Sequence, residues 1–151
     1  VSDDLMKLEN QFCFAVYACA REITKLYHPL LKELNLTYTQ YITMLALWEK
    51  DDVSVKELGE RLYLDSGTLT PLLKKLEASG HLTRTRDQSD ERSVRIVLTE
   101  QGRSLKERAC TIPEQLYRQY GMGIEELTGL RNTMTDVLKK IHDHGQSQES
   151  N

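Results

Sequence analysis

Sulfur and phenol groups are where reactive chemistry would concentrate in this chain. Three cysteines, Cys13, Cys19 and Cys110, stand at spacings of 6 and 91 residues. Those spacings match neither a zinc site nor a thioredoxin-type motif. Taken alone, each reads as a reduced thiol that packs like a small apolar residue. Tyr17 follows Cys13 by one helical turn, and seven tyrosines against two phenylalanines is more hydroxyl than a packed core needs. A phenol that donates a hydrogen bond to sulfur favours its anionic form. His28, His81, His142 and His144 sit in separate segments except for the last pair, so neither a metal site nor a cofactor is expected.

A second group suits phosphate and base contacts. Ser66, Thr68 and Thr70 place small hydroxyls at the start of an apolar-periodic segment, with Lys74 and Lys75 one turn on. Ser66 and Thr68 serve equally well as helix caps, and the two roles are compatible. Further along, Arg84 and Arg86 alternate with threonines, and Asp90 stands two residues before Arg92, so its carboxylate is expected to orient that guanidinium towards a groove. Net charge is −3 overall, yet 54–98 carries eight basic against seven acidic residues. This fits a local phosphate-facing surface and equally a solvated charged face.

The elements that must hold these residues follow from periodicity. Leu5, Leu8, Phe12, Val16, Cys19, Ile23, Leu26 and Leu30 recur at steps of three and four, which predicts one long amphipathic helix over the first thirty residues. Cys13 lies beside its apolar stripe, and Cys19 is displaced around the helix by about 120°, so the two cannot bond within it. Thr37-x-x-Gln40 and Ser54-x-x-Glu57 are capping boxes that open a second and a third helix. Asp65 and Ser66 start a fourth, which stops at Gly80. From Leu82 the period changes to two, giving a β-hairpin across 82–98 with a charged tip at 87–93. Thr99 caps the next helix, Pro113 divides it, and a last amphipathic helix runs through Leu127, Leu130, Met134 and Ile141 into a frayed tail.

With 151 residues, 39% apolar and 28% charged, the chain has the composition of one ordinary globular domain. No apolar stretch is long enough to span a bilayer, and residues 1–8 lack the apolar run of a secretory signal. A cytoplasmic protein is the expectation. The fold class is mainly α, with a winged helix-turn-helix between terminal helices. The apolar stripes of those helices call for a second copy in a two-fold dimer.

The segment GERLYLDSGTLTPLLKKLEASGHLTRTRDQSDERSVRIVLTEQG resembles the winged helix-turn-helix of MarR-type bacterial transcription regulators, including the Asp90-x-Arg92 wing and the LTxxG after the second wing strand. The segment from Lys7 to Glu49, with Asn-Gln-x-Cys-Phe at residues 10–14, is similar to the organic-hydroperoxide repressor branch and its staphylococcal relatives. The resemblance implies dimerisation and sensing by 1–36, DNA binding by 37–100, dimerisation by 101–146 and a tail at 147–151.

It further implies that Cys13 is the redox-active thiol, with Tyr27 and Tyr38 brought near it by the partner subunit and Tyr17 close by. The partners expected are operator DNA, a second copy, an organic hydroperoxide and a small cellular thiol. Relatives that use two cysteines place the second near the positions of Arg118 and Met122. Neither is cysteine here, so capping by a small thiol is favoured over an intersubunit bond to Cys110. A regulator released by a phenolic or lipophilic ligand is the alternative. A thiol peroxidase is the reading from outside the regulators, though no catalytic arginine-threonine-cysteine arrangement surrounds Cys13.

Overall fold

The computed structural model describes residues 2–90 and 92–150. Expectations that touch Val1, Glu91 and Asn151, at the two ends and in the hairpin tip, lie outside the described residues. Seven α-helices and three strands are described: α1 Phe12–Lys32, α2 Tyr38–Glu49, β1 Val53–Ser54, α3 Val55–Leu62, α4 Ser66–Ala78, β2 Leu82–Arg86, β3 Val94–Leu98, α5 Glu100–Ala109, α6 Ile112–Gln119 and α7 Ile124–Glu149. The chain divides into two compact units, 1–112 and 113–151.

The capping residues act as their spacing predicts. The Thr37 hydroxyl accepts from Gln40 N–H and the Gln40 amide oxygen accepts from Thr37 N–H; Ser54 and Glu57 do the same for α3. Between α3 and α4 the chain reverses through Tyr63, whose φ is 56°, and Leu64 N–H closes the turn on the Gly59 carbonyl. A side chain at Gly59 would stand 2.7 Å from the Leu64 oxygen, so glycine is required there. After α4, Gly80 at φ 83° and the bond from His81 N–H to the Leu76 carbonyl form a Schellman stop.

The sheet has strand order β1-β3-β2, all antiparallel, with Leu82 opposite Leu98, Arg86 opposite Val94 and Val53 opposite Ile96. Strand β1 is additional to the expected hairpin. Leu58, Leu69, Leu73, Leu76, Leu82 and Ile96 are fully buried and join Met44 and Leu47 of α2 in one core. This core fixes α4 and the wing as one body. Thr99 ties the wing to α5: its hydroxyl donates to the Gly80 carbonyl and accepts from Gly102 N–H, while its own N–H donates to the His81 carbonyl. Trp48 of α2 donates its indole N–H to the Gly102 carbonyl at 2.9 Å.

Two expectations need correction at the termini. The first helix does not begin near Leu5. Two 3-10 turns, Asp3–Met6 and Leu8–Asn10, precede it, and α1 starts at Phe12. The tail expected to fray from Gln146 is helical as far as Glu149, with Ser147 and Ser150 hydroxyls donating back to the Asp143 and Gln146 carbonyls. Pro113 divides α5 from α6 as the sequence predicts. No described helix is long and apolar enough to cross a membrane.

Candidate nucleic-acid interface and thiol site

Asp65, not Ser66, caps α4: its Oδ1 accepts from Thr68 N–H at 2.7 Å. The hydroxyls of Ser66 and Thr68 are therefore spared that task, and both residues lie exposed in the first turn of α4. Lys74 and Lys75 are exposed as well, whereas Thr70 is half-buried. A helix N-terminus with small hydroxyls followed by two lysines is a surface on which phosphates and base edges can be met at short range.

The wing differs from its sequence reading in two side chains. Asp90 does not hold the Arg92 guanidinium. Its Oδ1 accepts from the Arg92 backbone N–H at 3.0 Å, and the Asp90 carbonyl accepts from Ser93 N–H. Two residues apart in a tight turn, a carboxylate reaches the backbone more readily than the far end of a long side chain. Asp87 does the equivalent work for Ser89, accepting from both its N–H and its hydroxyl. Asp87 and Asp90 are thus turn formers, and Arg92 stays exposed.

Arg84 is the second correction. It does not present its charge outwards, because Glu77 of α4 accepts from its backbone N–H at 2.8 Å and from its guanidinium at 3.2 and 3.3 Å. That bond from the Arg84 backbone, first, and the guanidinium beside it hold the Glu77 carboxyl below its ordinary value. Arg86, two residues on, is exposed.

Sequence reasoning missed the residues that join the wing to α2. Asp51 Oδ2 accepts from Leu98 N–H and stands 3.4 Å from Arg103 Nη2. Asp52 Oδ1 accepts from Arg95 Nε at 2.8 Å, and the Asp52 carbonyl accepts from the same guanidinium. Arg61 donates to the Ala46 carbonyl and to Glu49, both on α2. These pairs are 43 to 52, 15 and 12 residues apart, so no local charge pattern announces them.

Cys13 is the second residue of α1 and is exposed. Its position is set by Asn10 and Gln11. The Asn10 amide donates to the Asp4 carbonyl at 2.7 Å, and the Gln11 amide donates to the carbonyls of Leu5 and Lys7. Both side chains thereby pin the 3-10 turns and start α1 immediately before the cysteine. The N–H groups of a helix's first turn have no carbonyl partners within it, and in α1 the Gln11 side chain does not cap them. Such an end attracts negative charge. Around it Leu8, Phe12 and Phe14 are exposed apolar residues.

The tyrosines divide into two places. Tyr17 accepts from Arg21 Nη1 at 2.8 Å and carries that guanidinium over its ring. Tyr27 packs against Tyr38 and Tyr41, with ring centroids 4.9 and 5.6 Å apart; burial pushes the Tyr38 and Tyr41 hydroxyls above their ordinary value. Fourteen residues of helix separate Cys13 from Tyr27, about 21 Å at 1.5 Å per residue. Within one chain they do not meet. Cys19 and Cys110 are exposed and unbonded to other cysteines, with the Cys110 thiol donating to the Glu107 carbonyl.

The chain matches the family model described as transcriptional regulator SarA/Rot over residues 25–109. It is 51% identical over 139 residues to the organic hydroperoxide resistance transcriptional regulator of Bacillus subtilis, covering 92% of this chain and 95% of that one. Among solved structures it is similar to AbfR of Staphylococcus epidermidis. Reduced AbfR bound to DNA aligns with a TM-score of 0.74 at 34% identity, covering 92% of this chain and 96% of AbfR. Overoxidised AbfR bound to DNA gives 0.75 at 34% identity, covering 93% and 99%. Disulfide-formed AbfR gives only 0.60 at the same identity, covering 90% and 96%. A variant of Escherichia coli MarR on operator DNA shares the fold, with a TM-score of 0.74 at 21% identity, covering 82% and 91%.

Proposed function

Since the chain belongs to the SarA/Rot family of transcriptional regulators, in the organic-hydroperoxide branch of the MarR type, we propose that this redox-sensing DNA-binding regulator reads organic hydroperoxides through Cys13. The observation that carries the reading is the placement of that thiol: exposed, in the first turn of α1, and bordered by apolar side chains. The Cys13 thiolate attacks one oxygen of the hydroperoxide. The O–O bond breaks as sulfur takes the terminal OH and becomes a sulfenic acid, and the departing alkoxide takes a proton from water to leave as the alcohol. A small cellular thiol then condenses with it, water is lost, and a mixed disulfide remains. The reaction acts once per protein as a signal, not as steady turnover.

The DNA contacts in this reading are Ser66, Thr68, Lys74 and Lys75 on α4, with Arg92 and Arg86 on the wing. Thr70, half-buried, stands behind them. Arg84 aligns the wing through Glu77, and Asp90 shapes the tip that carries Arg92. Two copies pair into a repressor on a pseudo-palindromic operator. The exposed apolar residues of α1, and separately those of α7 at Ile124, Leu130, Met134, Leu138 and Ile141, support that pairing. In such a dimer Tyr27 and Tyr38 of one subunit are candidates to hydrogen-bond the other's sulfur, beside Tyr17. AbfR bound to DNA both reduced and overoxidised aligns with this chain better than disulfide-formed AbfR does, which supports assigning release to disulfide formation and not to oxygen on sulfur alone.

The test is intact-mass analysis alongside an operator gel shift, with one equivalent of cumene hydroperoxide and a small thiol present. A mixed disulfide mapped to Cys13 that tracks loss of DNA binding is the expected result, with Cys13→Ser retaining operator. Release of the Cys13→Ser variant under the same treatment would overturn the reading.

A further inference from the structure

We infer that Arg95 is a positioning residue for the wing: held between Asp52 and Asp87, it sets the angle at which the hairpin tip offers Arg92 to DNA. The inference rests on the wing contact assigned above. Arg95 occupies the central strand β3, opposite Ser54 of β1 on one side and Thr85 of β2 on the other. Its neighbour Ile96 points into the core, so by the alternation of a strand Arg95 lies on the outer face. From there its guanidinium reaches two turns. Nε donates to Asp52 Oδ1 at 2.8 Å, a second nitrogen donates to the Asp52 carbonyl, and Nη1 stands 3.6 Å from Asp87 Oδ2.

Both carboxylates are placed for this. Asp52 has φ 55°, a left-handed conformation that aspartate tolerates better than most residues, and it lies in the turn between α2 and β1. Asp87 begins the wing tip, where its N–H donates to the Ser93 carbonyl. A two-stranded hairpin is barely stable by itself. Here a single cation joins the base of the tip to the turn after α2, which also fixes β3 through Asp51 and Leu98. The side chain of Arg95 is two-thirds buried, and its guanidinium bonds Asp52 twice and pairs with Asp87, which distinguishes it from an arginine turned outwards to phosphate.

The sign of one substitution tests this. Removing a carboxylate near DNA ordinarily strengthens binding. If Asp52 works by holding Arg95, Asp52→Asn weakens specific operator binding instead, by about tenfold, the usual scale for losing one arginine contact. Affinity is measured by fluorescence anisotropy for Asp52→Asn, Arg95→Met and Arg92→Ala, and for each of the first two combined with Arg92→Ala, with thermal midpoints recorded to establish folding. The expected result is that both first substitutions lose most of their effect in the Arg92→Ala background, a coupling that general destabilisation does not produce. Asp52→Asn binding as tightly as the parent, or Arg95→Met adding its full effect to Arg92→Ala, overturns the inference. Arg92→Ala without effect overturns the underlying wing contact, and the inference with it.

Discussion

The backbone carbonyl of His81 occupies the space that a side chain at Gly102 would need: a Cβ built there falls 2.0 Å from the oxygen. The contact lets Thr99 reach both Gly80 and His81 and lets Trp48 reach the Gly102 carbonyl. The glycine of the LTxxG segment is therefore a point where the wing, α2 and α5 meet.

Gly102→Ala must move backbone and not a flexible side chain. It is expected to destabilise the protein by about 3 kcal/mol, within the range for steric and backbone changes in a core. Urea denaturation followed by circular dichroism measures the loss. A midpoint equal to the parent's would show that the junction relaxes at no cost.

Glu77 carries a pH signature. Its carboxyl lies below the ordinary value of 4.5, first because the Arg84 backbone N–H donates to it. The folded state thus binds fewer protons than the unfolded chain in acid, so this stabilisation is present above 4.5 and is lost as pH falls through the lowered folded value. Glu77→Gln should unfold at lower urea than the parent at pH 7, with the gap closing below pH 4.5. A gap independent of pH would leave Arg84 without an ionic partner that matters.

His81 runs the other way in chemistry and the same way in pH. It is buried, its Nδ1 has no hydrogen-bond partner among the described residues, and burial holds its imidazole below the ordinary 6.5. The unfolded chain therefore takes up this proton first, and stability falls as pH drops from above 6.5 through the folded value. His81→Leu should remove that slope and gain about 1 kcal/mol or more at pH 5 from loss of an unsatisfied buried group. Parallel pH profiles for parent and variant would contradict the burial argument.

Gln11→Ala releases the turn that precedes Cys13. Its amide makes two of the three bonds by which Asn10 and Gln11 hold the 3-10 turns. Oxidation of Cys13 by cumene hydroperoxide, timed by quenched mass spectrometry, should slow by about two- to fivefold, the scale of a helix-end effect on one charge. Operator affinity of the reduced variant should match the parent's. An unchanged rate would mean that the sulfur's reactivity does not depend on where the helix begins.

How far these features were legible in the sequence depended on their range. The capping boxes at Thr37 and Ser54 and the period-two run from Leu82 are local, and they located α2, α3 and the wing. The break before α1 was hidden because Leu5, Leu8 and Phe12 keep a helix-like spacing through 3-10 turns, whose own repeat is three residues. Strand β1 has two residues and no room for alternation. At the site, the resemblance singled out Cys13, but the role of Asn10 and Gln11 needed their backbone partners. Arg84 read as a phosphate contact because charge patterns show cations and not the carboxylates that the turn at Gly80 folds onto them.

Trp48 is the only tryptophan in the chain, and its half-buried indole is bound to Gly102 at the junction of α2 and α5. Its fluorescence is thus an intrinsic reporter of the DNA-binding module. Loosening the seat of the wing will redden and dim that emission, whereas an adduct at Cys13 that stayed local to α1 would leave it silent. A change in tryptophan emission on treatment with hydroperoxide and thiol would then be an optical sign, without label or DNA, that the chemical event at sulfur has reached the module that reads the operator.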